Sequence, residues 1–203
     1  EKNLIENFTH EHLSGFHVKP LKSFFERNGM ELFDVKVVPA KSGSIRCFVQ
    51  KKGGPNKILK SVQNVIADED SFGMSKIDRH ESVKKFIEQR KKQLHDYIDP
   101  IIKKGKKIAG YGTSIGATTF SFNYNLGSSI DFLIDDDEFR QGLLSPFFHI
   151  PVVSPKAIEE KNPDSILILA PLYADNIIDQ NKNYISKGGK FIKIWPEFEI
   201  IKN

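Results

Sequence analysis

Residues 7–17 (NFTHEHLSGFH) bring His10, Glu11, His12 and His17 into one short stretch. Imidazole changes charge near neutral pH, and a neighbouring carboxylate can share or orient its proton. His10 and His12 are two apart. On a helix they would point away from one another; on an extended segment they would share a face, with Glu11 opposite. Three uses are open. The imidazoles can hold a metal, move a proton, or cap the following helix and satisfy carbonyls. A metal site needs at least one more ligand in suitable geometry. His17 is the nearest candidate but stands at no recognised spacing, so no metal is expected.

A second constellation is Gly110-Tyr111-Gly112-Thr113-Ser114-Ile115-Gly116. It lies between an apolar run that reads as a strand and a segment that reads as a helix. Glycines there permit a tight turn, and the first N–H groups of the helix can hold a phosphate. Thr113 and Ser114 add hydroxyl donors. The spacing is one residue longer than the dinucleotide fingerprint. Asp135 closes the next strand, where such folds often bind a ribose hydroxyl. The bland alternative is that the glycines serve the turn alone and Asp135 merely ends a strand.

The elements that must position these groups fall into two kinds. Leu21, Phe24 and Phe25 share one helical face over residues 18–28, with Pro20 in the first turn and Gly29 as the stop. Residues 30–38 and 44–50 read as strands joined in a hairpin. A helix and two strands bury little by themselves, so this part reads as the end of a larger domain, cut from something longer. Residues 51–56 (KKGGPN) read as a linker. Residues 75–104 carry Val83, Phe86, Ile87, Leu94, Tyr97, Ile98, Ile101 and Ile102 at helical spacing, with Pro100 expected to kink or divide the helix.

From Lys107 the rhythm changes. Four apolar strands are expected, in KIAGYG, IDFLIDD, DSILILAP and KFIKIW. Helices are expected over residues 114–125, 155–161 and 173–186. That alternation predicts an α/β fold, a parallel sheet with helices on both faces. Ligands in such sheets gather at the C-terminal strand edge, which groups Gly112, Thr113, Ser114, Asp135 and residues 171–173. The expected domains are 1–54, 55–106 (linker and long helix) and 107–203.

Composition narrows the class. The chain has 203 residues, 39% hydrophobic, with a mean hydropathy of -0.37, enough for a packed core. Cys47 is the single cysteine, so no internal disulfide and no cysteine-based zinc site can form. A reducing cytoplasm is the expected compartment. Net charge is +4, with no basic stripe interleaved with aromatics, which argues against nucleic acid. No apolar run is long enough to span a bilayer.

Taken together, these motifs resemble the C-terminal part of the S-adenosylmethionine-dependent C-methyltransferases that act on nucleotide-linked sugars. THEHLSGF is similar to the family's Tyr-His-Glu-His-Phe-Ser motif. LKSFFERNGMELFDVKVVPAKSGSIRCFV resembles its closing helix and hairpin, including Ser44 and Arg46. GYGTS resembles its Tyr-Gly turn, and LIDDDEFRQGLLSPFFHIPVVSP its Val-Asp, Lys-Gln-Gly and His-Ile-Pro-Val series. The resemblance implies the tail of a class I methyltransferase domain followed by a Rossmann-like domain. It implies S-adenosylmethionine as methyl donor, bound mostly outside this chain, and a nucleotide-linked keto sugar or similar small molecule as substrate. His12 then maps to the base that removes a proton next to a ketone, with Glu11 beside it. Thr9, Ser44, Arg46, Tyr111, Gly112, Thr113, Ser114, Asp135 and Arg140 map to substrate contacts. Thr9 stands where the family has a tyrosine, Ile115-Gly116 where a lysine is frequent, and Arg140 where lysine is usual. This segment alone is expected to be inactive. Two other readings stay open: a non-catalytic nucleotide-binding module and an NAD-binding oxidoreductase domain.

Overall fold

The computed structural model describes residues 9, 12–40 and 43–203. The chain forms two compact units. One is Ser14–Val83; the other is Lys84–Asn203 together with the described residues of Glu1–Leu13. The expected boundaries at 54 and 106 do not coincide with this division.

In the first unit, α1 (Val18–Arg27) leads into the antiparallel pair β1 (Met30–Val38) and β2 (Ser44–Lys51). The expected helix and hairpin are therefore present. Gly29 ends α1 with φ +70°, donating its N–H to Glu26 O, a conformation glycine adopts without a Cβ penalty. Residues 51–56 turn as expected, but the chain then forms α2 (Lys60–Ser71), which the linker reading missed. Val62 is fully buried from α2 against Val18, Leu32 and Val35, with Val65 and Ile66 packed beside it. The ladder slips between Leu32 and Asp34, and the Phe33 carbonyl freed there accepts Leu59 N at 2.8 Å, where α2 begins.

The far end of α2 returns to the start of α1. Glu69 accepts Val18 N at 2.5 Å and Lys19 N at 3.0 Å, and lies 3.1 Å from His17 Nδ1. A helix begins with N–H groups that lack internal partners, and an anion there also meets the positive end of the helix dipole. His17, the N-cap residue of α1, makes no side-chain cap of its own. Glu69 supplies that cap from 52 residues away.

α3 (Ile77–Ile102) runs from one unit into the other. Pro100 lies inside it and does not divide it, division being one of the two outcomes expected of that proline. The proline stands in the last turn, where the loss of one backbone hydrogen bond does little to the helix before it.

The second unit is a six-stranded sheet ordered β5-β4-β3-β6-β7-β8, comprising β3 (Ile108–Tyr111), β4 (Phe132–Ile134), β5 (Val152–Val153), β6 (Ser165–Ile168), β7 (Phe191–Lys193) and β8 (Glu199–Ile201). All pairs are parallel except β7 with β8. The four expected strands form its centre. The short outer strands β5 and β8 escaped notice because two or three residues show no usable periodicity.

Alternation along the strands builds two cores. Ile108, Leu133, Leu167 and Ile192 face Leu94 and Ile98 of α3 and Phe120 of α4 (Ile115–Asn123). Ala109, Phe132, Ile166 and Phe191 face α5 (Ala157–Lys161), α6 (Ala174–Gln180) and α7 (Lys182–Ser186). Leu94 and Ile98 are fully buried, each worth about 1.5–3 kcal/mol in transfer terms. Helices thus cover both faces of a mostly parallel sheet, as expected. The single helix expected over residues 173–186 is a 3-10 turn (Pro171–Tyr173) followed by α6 and α7. Asn181 marks the break, its side-chain amide donating to Ile177 O at 2.8 Å.

Candidate functional site

The strand order reverses between β3 and β6, the place where open α/β sheets leave a crevice at their C-terminal ends. Gly112 turns the chain there. Its φ is +107°, and a Cβ would meet Ala170 Cβ at 2.9 Å and Ala170 N at 3.3 Å. Glycine is therefore required twice, by conformation and by close approach to the end of β6. Gly110 has another use: a Cβ there would meet Leu133 and Leu169 side-chain carbons at 2.6 and 2.8 Å, so it serves packing. Ser114 caps α4, its hydroxyl accepting Ala117 N at 3.3 Å. Ile115 and Gly116 carry the N–H groups of the first turn, which have no i−4 carbonyl within the helix.

Asp135 sits opposite this turn, 8% exposed. Its Oδ2 accepts Thr113 N at 2.9 Å and also the Thr113 hydroxyl, and its Oδ1 accepts Asp137 N at 2.9 Å. Arg140 reaches Oδ2 at 3.3 Å and Asp137 at 3.2 Å. Burial pushes the Asp135 carboxyl up; the Thr113 hydroxyl, the Asp137 N–H, the Arg140 charge and the Thr113 N–H outweigh it and hold the group below the ordinary carboxylate value. The acceptor capacity that would serve a ribose hydroxyl is largely spent on the protein. Asp135 braces the turn.

Tyr111 points its hydroxyl at Asp136, donating at 2.9 Å. Burial first, and then Asp136, raise its pKa well above that of a free phenol. The phenol stays neutral and works as a donor. Gln141 completes the cluster by donating to Asp135 O at 3.0 Å. Facing outward are Ser114, Asp136 and about half of the Arg140 side chain.

The structure therefore brings together Tyr111, Gly112, Thr113, Ser114, Asp135 and Arg140. Ser44 and Arg46 belong to the other unit, on β2, where the Ser44 hydroxyl donates to Ala40 O at 2.9 Å and Arg46 pairs in register with Lys36. His12 is exposed, and its N–H donates to Thr9 O at 3.0 Å. The Thr9 hydroxyl is buried with no hydrogen-bond partner among the described residues. Glu11 and His10 lie outside the described residues. No group of three metal-ligating side chains occurs among the described residues. No helix among them is long and apolar enough to cross a membrane.

Sequence reading missed Glu69, Asp136, Asp137 and Gln141. Consecutive aspartates after an apolar strand, in DDDEFRQG, are the usable signal for the last three, because short carboxylates bond neighbouring backbone N–H groups in turns. Nothing local announces Glu69.

Comparison with known proteins places these features in context. The model of the C-methyltransferase C-terminal domain matches residues 39–196. The C-methyltransferase NovU of Streptomyces niveus is 29% identical over 202 residues, 99% of this chain and 48% of that protein. The chain thus spans about half the length of this relative. A crystal structure of UDP-D-quinovosamine 4-dehydrogenase from Vibrio fischeri matches 43% of this chain and 76% of its own at 17% identity, with a TM-score of 0.32. A likeness of that size carries no argument here.

Proposed function

Because the chain belongs to the C-methyltransferase C-terminal domain family, we propose that it forms the C-terminal portion of a methyltransferase that alkylates a carbon next to a ketone in a nucleotide-linked sugar or similar small molecule. The observation that carries the binding part is the braced turn. Gly112 opens it, Asp135 locks it through Thr113, and the first N–H groups of α4 with Ser114 and Arg140 offer an anion site at the strand edge. A nucleotide's phosphates fit that set of donors.

His12 removes the α-proton. The exposed position of His12 supports this reading. The resulting enolate carbon would form the new bond to the donor's methyl group as the sulfonium S–CH3 bond breaks, the donor leaving as a neutral thioether. Thr9 takes the place of the family's tyrosine and supplies a smaller hydroxyl to that region, and Glu11 orients the base. Ser44 and Arg46 contribute further substrate contacts.

S-adenosylmethionine would supply the methyl group. The described residues of Ser14–Val83 form one antiparallel pair with helices and carry no glycine turn after a parallel strand, so they do not fit as its binding site. The donor would be held elsewhere in the whole protein, and the compartment is the cytoplasm.

The test is calorimetry of this chain with UDP-glucose, TDP-glucose and S-adenosylmethionine. Binding of either nucleotide sugar, lost in Arg140→Gln, supports the reading. Tight binding of S-adenosylmethionine to this chain, or indifference to both sugars, defeats it.

A further inference from the structure

At the opposite end of the same sheet, where β6 begins, a cavity of about 250 Å³ opens. Its walls include Ile101 near the end of α3, Lys106, Asp164 and Ser165 leading into β6, and Lys187 and Lys190 between α7 and β7. It belongs neither to the glycine turn nor to the histidine loop.

Ser165 is fully buried, and its hydroxyl has no hydrogen-bond partner among the described residues. Strand alternation fixes its direction. Leu167 and Leu169 pack in the core that includes Leu94 and Ile98, and Ile101 packs against that core; Ile166 and Ile168 pack on the other face. Ser165 shares the parity of Leu167, so its hydroxyl lies on the α3 face, where Ile101 lines the cavity. A buried hydroxyl without a partner costs free energy until a partner enters.

The charges around it favour an anion. Lys106 holds Asp164 at 2.6 Å, and Lys107 N donates to the other carboxylate oxygen at 3.0 Å, so the one acid lining the cavity is already engaged on both oxygens. Lys187 lies 3.3 Å from Glu159, but both side chains are more than half exposed, and such a pair is weak and free to turn. Lys190 makes no ion pair among the described residues. Lys106 is spent on that carboxylate, which leaves Lys187 and Lys190 among the lining residues to balance an anion.

We propose that this cavity binds the phosphate monoester of a small organic molecule. The Ser165 hydroxyl donates to a phosphate oxygen, and Lys187 and Lys190 balance its charge. Orthophosphate alone would leave much of the space unfilled, and the ester's carbon skeleton packs along Ile101. Lysine serves here as a point charge for phosphate.

Nitrogen-15 NMR of the whole chain tests this, titrating sodium phosphate and then glycerol 3-phosphate at constant ionic strength, with sodium chloride as control. Saturable shifts at the Ser165, Gly188, Gly189 and Lys190 amides are expected, tighter for the ester. Ser165→Ala and Lys190→Gln should each weaken binding about tenfold, equal to about 1.4 kcal/mol. Neither should disturb the fold, since neither side chain has a hydrogen-bond or ion-pair partner among the described residues. Shifts reproduced by chloride, unsaturable shifts, or unchanged affinity in both variants overturn the site. Equal affinity for phosphate and ester overturns the ester assignment. Shifts confined to residues 112–114 also overturn it, while leaving the nucleotide reading of the turn intact.

Discussion

The Asp135 carboxylate takes both the backbone N–H and the hydroxyl of Thr113, tying the end of β4 to the turn after β3. One residue thereby fixes the path of the chain into α4. Asp135→Asn keeps the shape but removes the charge that Thr113, Asp137 and Arg140 address. It should cost about 1–3 kcal/mol of stability, read by urea unfolding. An unchanged midpoint would remove Asp135 from the role of brace.

The same group sets an acid limit. Its folded pKa lies below the ordinary carboxylate value, so its contribution is present above that value and is lost as pH falls through the folded pKa. Thermal melts from about pH 5 downward should show the wild type losing stability more steeply than Asp135→Asn, which has no such proton to take up.

Gly112→Ala forces a Cβ to within 2.9 Å of Ala170 at φ +107°. Strain of this kind costs on the order of 1–3 kcal/mol. The variant should melt earlier and lose nucleotide-sugar binding in calorimetry. Gly142→Ala, where φ is +81° but nothing lies within 4 Å, should leave binding intact.

Glu69 caps α1 from a distant helix. Glu69→Ala should cost about 0.5–2 kcal/mol. Hydrogen exchange should accelerate first at the Val18 and Lys19 amides, which donate to it. Exchange unchanged at those two amides would contradict the assignment.

Tyr184 is buried, and its hydroxyl donates to Pro163 O at 2.9 Å. Burial pushes its pKa up to about 12. A raised folded pKa means the contribution is whole below about 10, the unfolded value, and is lost as pH rises through about 12. Absorbance titration at high pH should show a late-titrating tyrosine whose ionisation accompanies unfolding. Tyr184→Phe should reduce the late absorbance change by one tyrosine, leaving the contributions of Tyr111 and Tyr124, whose pKa values are also raised.

Much of the larger unit was legible in the sequence. Apolar runs such as SILI and IAGY are readable as buried parallel strands because both faces of the sheet are covered, so every position is apolar. Gly112 was legible for a similar reason: a glycine between such a run and a helix leaves few conformations open. The family motifs also lie in the chain order itself. Short features were not legible. β5 and β8 are too brief to show a period, and α2 carries few apolar positions to announce its face.

What only the tertiary structure decided concerns partners far apart in the chain. Asp135 was readable as a strand-end acid, but whether its oxygens face a ligand or Thr113 depends on how β4 lies beside β3. The cap that Glu69 places on α1 and the unpartnered hydroxyl of Ser165 are of the same kind. Spacing along a chain records periodicity, whereas hydrogen bonds and cavities are fixed by which segments fold against each other.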